Sequence, residues 1–232
     1  MPLIAVNGIE LYYESRGTGA PLLVLGGLGL DVSEMGMLTG PLAARFRVIA
    51  ADNRGAGRSA KPPGPYSIEQ MAADVAGLMD RLDLPRAHVL GMSLGGRIAM
   101  AMALAEPARV NRLVLVATSP RATGARWRVR AGMMVAALPV LRGRHRQPRF
   151  AMKAQFDATT RFDATTRLSQ ITAPVLIVHG TSDHVTPVAM ARQMHALIPG
   201  SRLVLIDGGH LAPLTRHERL VAEVSAFLTA SG

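Results

Sequence analysis

The chain contains no cysteine, which removes disulfides, zinc-thiolate sites and thiol nucleophiles from consideration. It also lacks long apolar runs: no window approaches the roughly 18 consecutive apolar residues of a membrane span. The N-terminus does not show the basic and then apolar order of an export signal, so a cytoplasmic location is expected. Aromatic residues make up only 4%, with Trp127 and Phe150 sparse among the arginines. A nucleic-acid surface, which would interleave bases with stacking rings, is therefore not expected. Acidic residues number 16 against 26 Lys and Arg, and the excess is local. Between Ser119 and Arg167 eleven basic residues face only Asp157 and Asp163, and the rest of the chain is close to neutral. Such a segment is either a solvated basic face or a means of drawing in anionic small molecules.

With 49% hydrophobic and 18% charged residues over 232 positions, the chain is globular and long enough to bury a substantial core. Asn7-Gly8 sits between two short extended runs and reads as an antiparallel hairpin. Further strands are expected at Pro21 to Leu25, Phe46 to Ala51, Ala87 to Leu90, Arg112 to Ala117, Pro174 to Val178 and Arg202 to Ile206, several of them wholly apolar, as strands buried on both faces are. Helical spacing follows Ser67 and Gln70, running through Ile68, Met71, Ala72, Val75, Leu78, Met79 and Leu82, and another helix covers Leu94 to Ala105. Thr186 and Pro187 are expected to start a helix, and Thr215 with Glu218 to cap a last one through Leu220, Val221, Val224, Phe227 and Leu228. This alternation implies right-handed crossovers and a mostly parallel sheet flanked by helices. It stops at Thr118. From Ser119 to Ile171 the pattern is irregular and contains an immediate duplication, Phe156-Asp-Ala-Thr-Thr-Arg161 followed by Phe162-Asp-Ala-Thr-Thr-Arg167, too short to be a solenoid.

The most informative stretch is Gly91-Met92-Ser93-Leu94-Gly95, where an apolar strand turns sharply into a helix. The glycines allow a strained turn that lifts Ser93 out of the sheet edge, at the positive end of a helix where a developing oxyanion is favoured. A serine nucleophile needs a base, and the base needs an acid to orient it. Asp183 and His210 follow the strands ending near Val178 and Ile206, so in a parallel sheet their loops emerge on the same edge as Ser93. Asp207 and Asp52 are weaker rivals for the acid. His179, His184 and His217 read as loop or surface residues.

The order Ser, Asp, His, together with Asp52-x-Arg54-Gly55-x-Gly57-x-Ser59 and Gly209-His210, resembles the α/β-hydrolase family over nearly the whole chain. The resemblance implies that Ser93 is the nucleophile, His210 the base and Asp183 the orienting acid. It implies oxyanion donors at the backbone amides of Leu94 and of Leu28, although Gly26-Gly27 stands where family members often carry His-Gly. It further implies a core of residues 1–118 and 172–232, with 119–171 as a small helical lid inserted after the sixth strand. No metal or cofactor is expected. Shorter stretches, Gly27 to Asp31, Pro63 to Gln70 and Arg126-Trp127, look like the 3-oxoadipate enol-lactonases, whose substrates are anionic lactones. The expected activity is hydrolysis of a small carboxylic ester or lactone. Perhydrolase or haloperoxidase chemistry, thioester cleavage, carbon–carbon bond hydrolysis and a non-catalytic ligand receptor remain open within the same fold, and the sequence leaves the oligomeric state open.

Overall fold

The computed structural model describes residues 3–122, 145 and 147–230. The Arg126-Trp127 pair, the apolar stretch from Met133 to Leu141 and six of the arginines counted above (126, 128, 130, 142, 144 and 146) lie outside the described residues. Strands β1 (Leu3–Val6) and β2 (Ile9–Arg16) form the expected hairpin. They lead into β3 (Pro21–Leu25), β4 (Arg47–Ala51), β5 (Ala87–Met92), β6 (Val110–Val116), β7 (Val175–Gly180) and β8 (Arg202–Ile206). The eight strands form one sheet in the order β1-β2-β4-β3-β5-β6-β7-β8, antiparallel at β1/β2 and β2/β4 and parallel from β4 to β8.

Successive side chains of a strand point to opposite faces, and here both faces are dry. Leu23 and Leu25 of β3 join one core with helices α2 (Ile68–Arg81) and α3 (Leu94–Ala105). Leu22 and Val24 join the other, with α1 (Gly36–Leu42) and the C-terminal helix described below. The apolar positions expected from Ile68 to Met79 are all buried on α2, Leu82 is its half-buried C-cap, and Ser67 accepts the Gln70 amide at 3.0 Å as its N-cap.

Between β6 and β7 the described part of the insert holds helix α4 (Arg149–Arg161) and a 3-10 turn at Thr165–Gln170. The two copies of the duplicated hexapeptide therefore fold differently. The first lies within α4, where Asp157 pairs with Lys153 one turn back at 2.5 Å. The second begins with a buried, extended Phe162, and its Asp163 side chain accepts the Thr165 amide at 2.8 Å, turning the chain out of the helix. Its start is stitched to the entry of the insert, because the Ala164 amide donates to the Pro120 carbonyl at 2.9 Å.

The sequence reading missed α1. Its lead-in is a turn over Val32–Met35 in which Asp31 accepts the Ser33 amide and Glu34 reaches back to the Asp31 amide at 2.9 Å, a capping box readable from Asp31-x-x-Glu34. Two expected caps are corrected. Helix α5 (Val188–Leu197) starts after Pro187 without a side-chain cap, and the Thr186 hydroxyl is used elsewhere. Thr215 ends the short α6 (Ala212–Thr215), with its hydroxyl on the Ala212 carbonyl at 3.3 Å, and the C-terminal helix α7 (His217–Thr229) begins without a side-chain cap.

Candidate active site

The strand order reverses direction around β3: the chain passes from β3 to β4 on one side and returns to β5 on the other. Outside the carboxyl ends of β3 and β5 this leaves the crevice in which sheets of this type bind ligands. Ser93 stands at that crevice. It adopts φ 51° and ψ −111°, a conformation a non-glycine residue reaches only under strain of about 1–3 kcal/mol. The surrounding contacts hold it there. The Ser93 amide donates to the Val116 carbonyl at 2.9 Å, and its own carbonyl accepts the Thr118 hydroxyl at 2.7 Å. The flanking glycines are needed for space: a methyl on Gly91 would lie 2.2 Å from the Gly95 carbonyl oxygen, and one on Gly95 would lie 2.1 Å from that of Leu25. Helix α3 can thus start directly against β3 and β5.

The Asp183 and His210 loops reach the same edge. They are joined to each other, with Ser182 N–H on the Gly208 carbonyl and Thr181 N–H on the Ile206 carbonyl, both at 2.9 Å. Gly180 permits this approach, since a methyl there would lie 2.3 Å from the Gly209 carbonyl oxygen. As a result His210 Nε2 sits 3.2 Å from Ser93 Oγ and His210 Nδ1 2.8 Å from Asp183 Oδ2. The three residues picked out in the sequence are brought together in the order hydroxyl, imidazole, carboxylate. Such a relay can take a proton from the hydroxyl onto Nε2 while Asp183 holds Nδ1 protonated. Neither rival acid takes this place. Asp207 is exposed, and Asp52 spends its two oxygens on the amides of Val32 at 2.6 Å and Arg58 at 2.7 Å.

Asp183 is buried and surrounded by donors. The Val185 and Thr186 amides reach its Oδ1, each at 2.8 Å, and the Thr186 hydroxyl reaches Oδ2 at 2.8 Å. His179 Nε2 lies 3.3 Å from Oδ2 and 2.6 Å from the Thr186 carbonyl oxygen. A ring nitrogen facing two acceptors carries the proton, so the N–H is at Nε2. Burial alone would push the Asp183 carboxyl up, but hydrogen bonds from His179 and His210, the electrostatic pull of His210 and the Thr186 amide outweigh it. They hold the carboxyl well below the usual carboxylate range. At neutral pH the acid is an anion.

His179 and Thr186 are the residues that the sequence reading missed here. His179 was expected on a loop or the surface and is instead fully buried. It closes the alternation of Val175 and Ile177 along β7, which is the signal that places it on a core face. His184 is exposed and His217 half-buried.

The two expected oxyanion donors lie on the elements next to Ser93. Leu94 is the first residue of α3, so its N–H has no carbonyl one turn back to bond. The loop after β3 abuts the serine, since a methyl on Gly27 would touch Ser93 Cβ at 3.5 Å. Its Gly27 to Leu30 turn is closed by Leu30 N–H on the Gly27 carbonyl at 3.2 Å. With φ +73° at Gly29 and no positive φ at Leu28 this is a type II turn, which leaves the Leu28 amide unused by the turn itself. Among the described residues no cluster of three His, Asp or Glu side chains is placed to hold a metal, and no helix is long and apolar enough to cross a membrane.

Comparison with known proteins agrees with this architecture. The family model described as alpha/beta hydrolase fold matches residues 20–163 and 149–216. A protein of Azorhizobium caulinodans, provisionally named carbamate hydrolase RutD, is 32% identical over 90% of this chain and 91% of its own length. The enol-lactonase from Burkholderia xenovorans LB400 superposes with a TM-score of 0.86 at 28% identity, covering 99% of this chain and 100% of that one. A thermophilic esterase from Thermogutta terrifontis gives 0.84 at 30% identity, over 97% of this chain and 96% of the other.

Proposed function

Because the chain belongs to the alpha/beta hydrolase fold family, we propose that it is a serine hydrolase cleaving a small carboxylic ester or lactone through an acyl-enzyme on Ser93. The observation that carries this reading is the contiguous path from Ser93 Oγ through the His210 ring to Asp183, with 3.2 and 2.8 Å at its two joints. His210 Nε2 takes the hydroxyl proton as Oγ attacks the carbonyl carbon, and the carbonyl electron pair moves onto oxygen. The amides of Leu94 and Leu28 stabilise that oxyanion, and Asp183 stabilises the imidazolium. Collapse breaks the bond to the alkoxy or ring oxygen, which leaves with the proton from His210. Water, deprotonated by the same nitrogen, then releases the acid.

A lid role for the insert is supported by its described helix α4, which reaches the loops after β3 and β4, and the positive charge of the segment favours substrates that carry a carboxylate. The esterase and enol-lactonase among the similar structures support the ester and lactone classes. A carbamate is a second reading, favoured by the name of the A. caulinodans relative. It uses the same attack, with the alkoxy or aryloxy oxygen as the leaving group and a carbamoyl-enzyme on Ser93 that water then releases.

The test is turnover of p-nitrophenyl esters of graded acyl length, a lactone panel and a p-nitrophenyl carbamate by wild type and Ser93→Ala. Loss of the nucleophile is expected to lower kcat on the best substrate by about 10⁴-fold or more. Equal turnover by the two proteins would remove Ser93 from the chemistry, and a stable adduct without release would identify a receptor.

A further inference from the structure

Gln155 lies in the middle of α4 and is fully buried. A primary amide pays for such a position only when both of its ends are satisfied, and here they are satisfied by two different loops of the sheet edge. Its Nε2 donates to the Arg54 carbonyl at 2.7 Å, in the turn after β4, and its Oε1 accepts the Gly29 amide at 3.4 Å, in the turn after β3. The partners are of opposite kinds, so the amide has one usable orientation; flipped, it would set N–H against N–H and C=O against C=O. The Arg54 side of this bridge is rigid. The guanidinium is buried and clamps both Asp74 oxygens at 2.7 and 2.8 Å, and the next residue, Gly55, donates to the Ala60 carbonyl at 3.0 Å.

On the other side, the peptide that Gln155 grips is the one directly after Leu28. The helix and the residue leading into it also press there: a methyl on Gly29 would meet Met152 Cε at 3.5 Å and Gln147 Oε1, just before the helix, at 3.2 Å. The Leu28 amide thus belongs to a turn whose following peptide is tied, through one side chain, to a fixed point in the turn after β4.

We propose that Gln155 is a positioning residue for acyl transfer: by bridging Arg54 and Gly29 it sets the Leu28 amide, so that stabilisation of the oxyanion depends on the seating of α4. This rests on the reading of Ser93 as nucleophile and Leu28 as an oxyanion donor. A hydrogen-bond donor displaced by about 1 Å from a developing charge loses much of its effect on rate while ground-state binding changes little.

The experiment uses Gln155→Met, which keeps the length and deletes both hydrogen bonds. Gln155→Asn keeps the amide but withdraws it by one methylene, and guards against a folding failure of the first variant. The readouts are kcat and KM on p-nitrophenyl acetate and the inhibition constant of an aryl trifluoromethyl ketone, whose tetrahedral adduct places an oxyanion in the same spot. In both variants kcat is expected to fall about ten- to a hundredfold with KM within about threefold, and ketone affinity to fall by the same factor as kcat/KM. Ser93→Ala separates the two ideas. If that variant is inactive while the Gln155 variants keep wild-type kcat and ketone affinity, with or without a lower melting temperature, Gln155 is structural only and the inference is overturned. A loss of kcat without loss of ketone affinity overturns it as well. If Ser93→Ala retains wild-type turnover, the nucleophile reading fails and takes the inference with it.

Discussion

Thr186→Val removes one donor of the carboxylate that orients His210, together with the hydroxyl's longer contact with His210 Nδ1 at 3.3 Å. The Thr186 hydroxyl has a single proton and two acceptors, Asp183 Oδ2 at 2.8 Å and the Ala117 carbonyl at 3.2 Å. The nearer and charged partner takes it. Valine replaces the hydroxyl with a methyl group of similar size at a buried position, so the main loss is a hydrogen bond to a charged group, about 1.5–3 kcal/mol. Four other donors remain around Asp183, from the Val185 and Thr186 amides, His179 and His210, and can tighten in response. The lower end, about 1.5 kcal/mol, is therefore expected. The sign with pH follows from the carboxyl being held below its ordinary range in the folded protein. Its contribution to stability is fully present above the unfolded value of about 3.9 and is lost as pH falls through the lower folded value. Without the hydroxyl that depression is smaller, so the variant is less stable at neutral pH and the deficit shrinks in acid. Urea unfolding of both proteins by circular dichroism from pH 7 down to about pH 2 measures this directly. The unfolded value is common to both proteins, so the deficit is expected to be constant down to about pH 4 and to narrow only as the pH falls through the variant's own folded value, which still lies below the ordinary carboxylate range, with kcat/KM on p-nitrophenyl acetate reduced about three- to tenfold at pH 7. A deficit that does not change with pH would show that the hydroxyl acts through packing or the Ala117 carbonyl and not through the Asp183 charge.

Two other buried groups give further tests. Arg97 is buried and has no acidic partner among the described residues; burial brings its guanidinium down to about 10, and it donates to the carbonyls of Ser119, Arg121 and Thr159 and to the Ser119 hydroxyl. Arg97→Met strands those acceptors between α3 and the insert and is expected to cost about 3 kcal/mol in urea unfolding, whereas a cost below about 1 kcal/mol would mean that the carbonyls find other partners. His179→Leu removes the ring N–H from Asp183 and the Thr186 carbonyl, while His179→Gln can place an amide N–H where Nε2 stood. About a tenfold loss of kcat/KM in the first and recovery to within about threefold of wild type in the second are expected, and equal losses would reduce His179 to a packing role.

Much of this architecture was legible in the sequence because it rests on local periodicity and on backbone requirements. The strand at Pro21 to Leu25 and the helix from Leu94 to Ala105 begin and end where apolar pattern, glycine and turn chemistry place them. Ser93, Asp183 and His210 were readable because each follows a strand of one parallel sheet, and topology puts those ends on one edge whatever the details of the loops. Where the reading failed, the local signal had two uses. Thr186 before Pro187 has the form of a helix cap, but a carboxylate three residues earlier in the chain offers its hydroxyl a charged acceptor, and that interaction wins. The hexapeptide duplication makes the same point from the other direction. Identical residues become helix in one copy and an extended, bridged start followed by a 3-10 turn in the other, because the second Phe packs into the core and the second Asp accepts the Thr165 amide.

Two buried polar side chains that shape the site outside its motif, Gln155 and His179, share one trait. In α4, Ala151, Ala154, Gln155 and Ala158 occupy positions i, i+3, i+4 and i+7, all buried, so Gln155 lies in an otherwise small and apolar stripe. His179 completes the inward set of β7, and Thr186 packs beneath it. Periodicity assigns such positions to the interior, and an interior amide, imidazole or hydroxyl is stable only if the fold delivers a partner. The face of a helix or strand is local information and the partner is not. For Gln155 the partners lie 101 and 126 residues away in the chain, and for His179 the nearest is Thr186, on a loop whose path the strand does not determine. A polar residue interrupting an apolar stripe is thus a readable sign that a polar contact exists, and here each such sign leads to the carboxylate behind His210 or to the loop in front of Ser93.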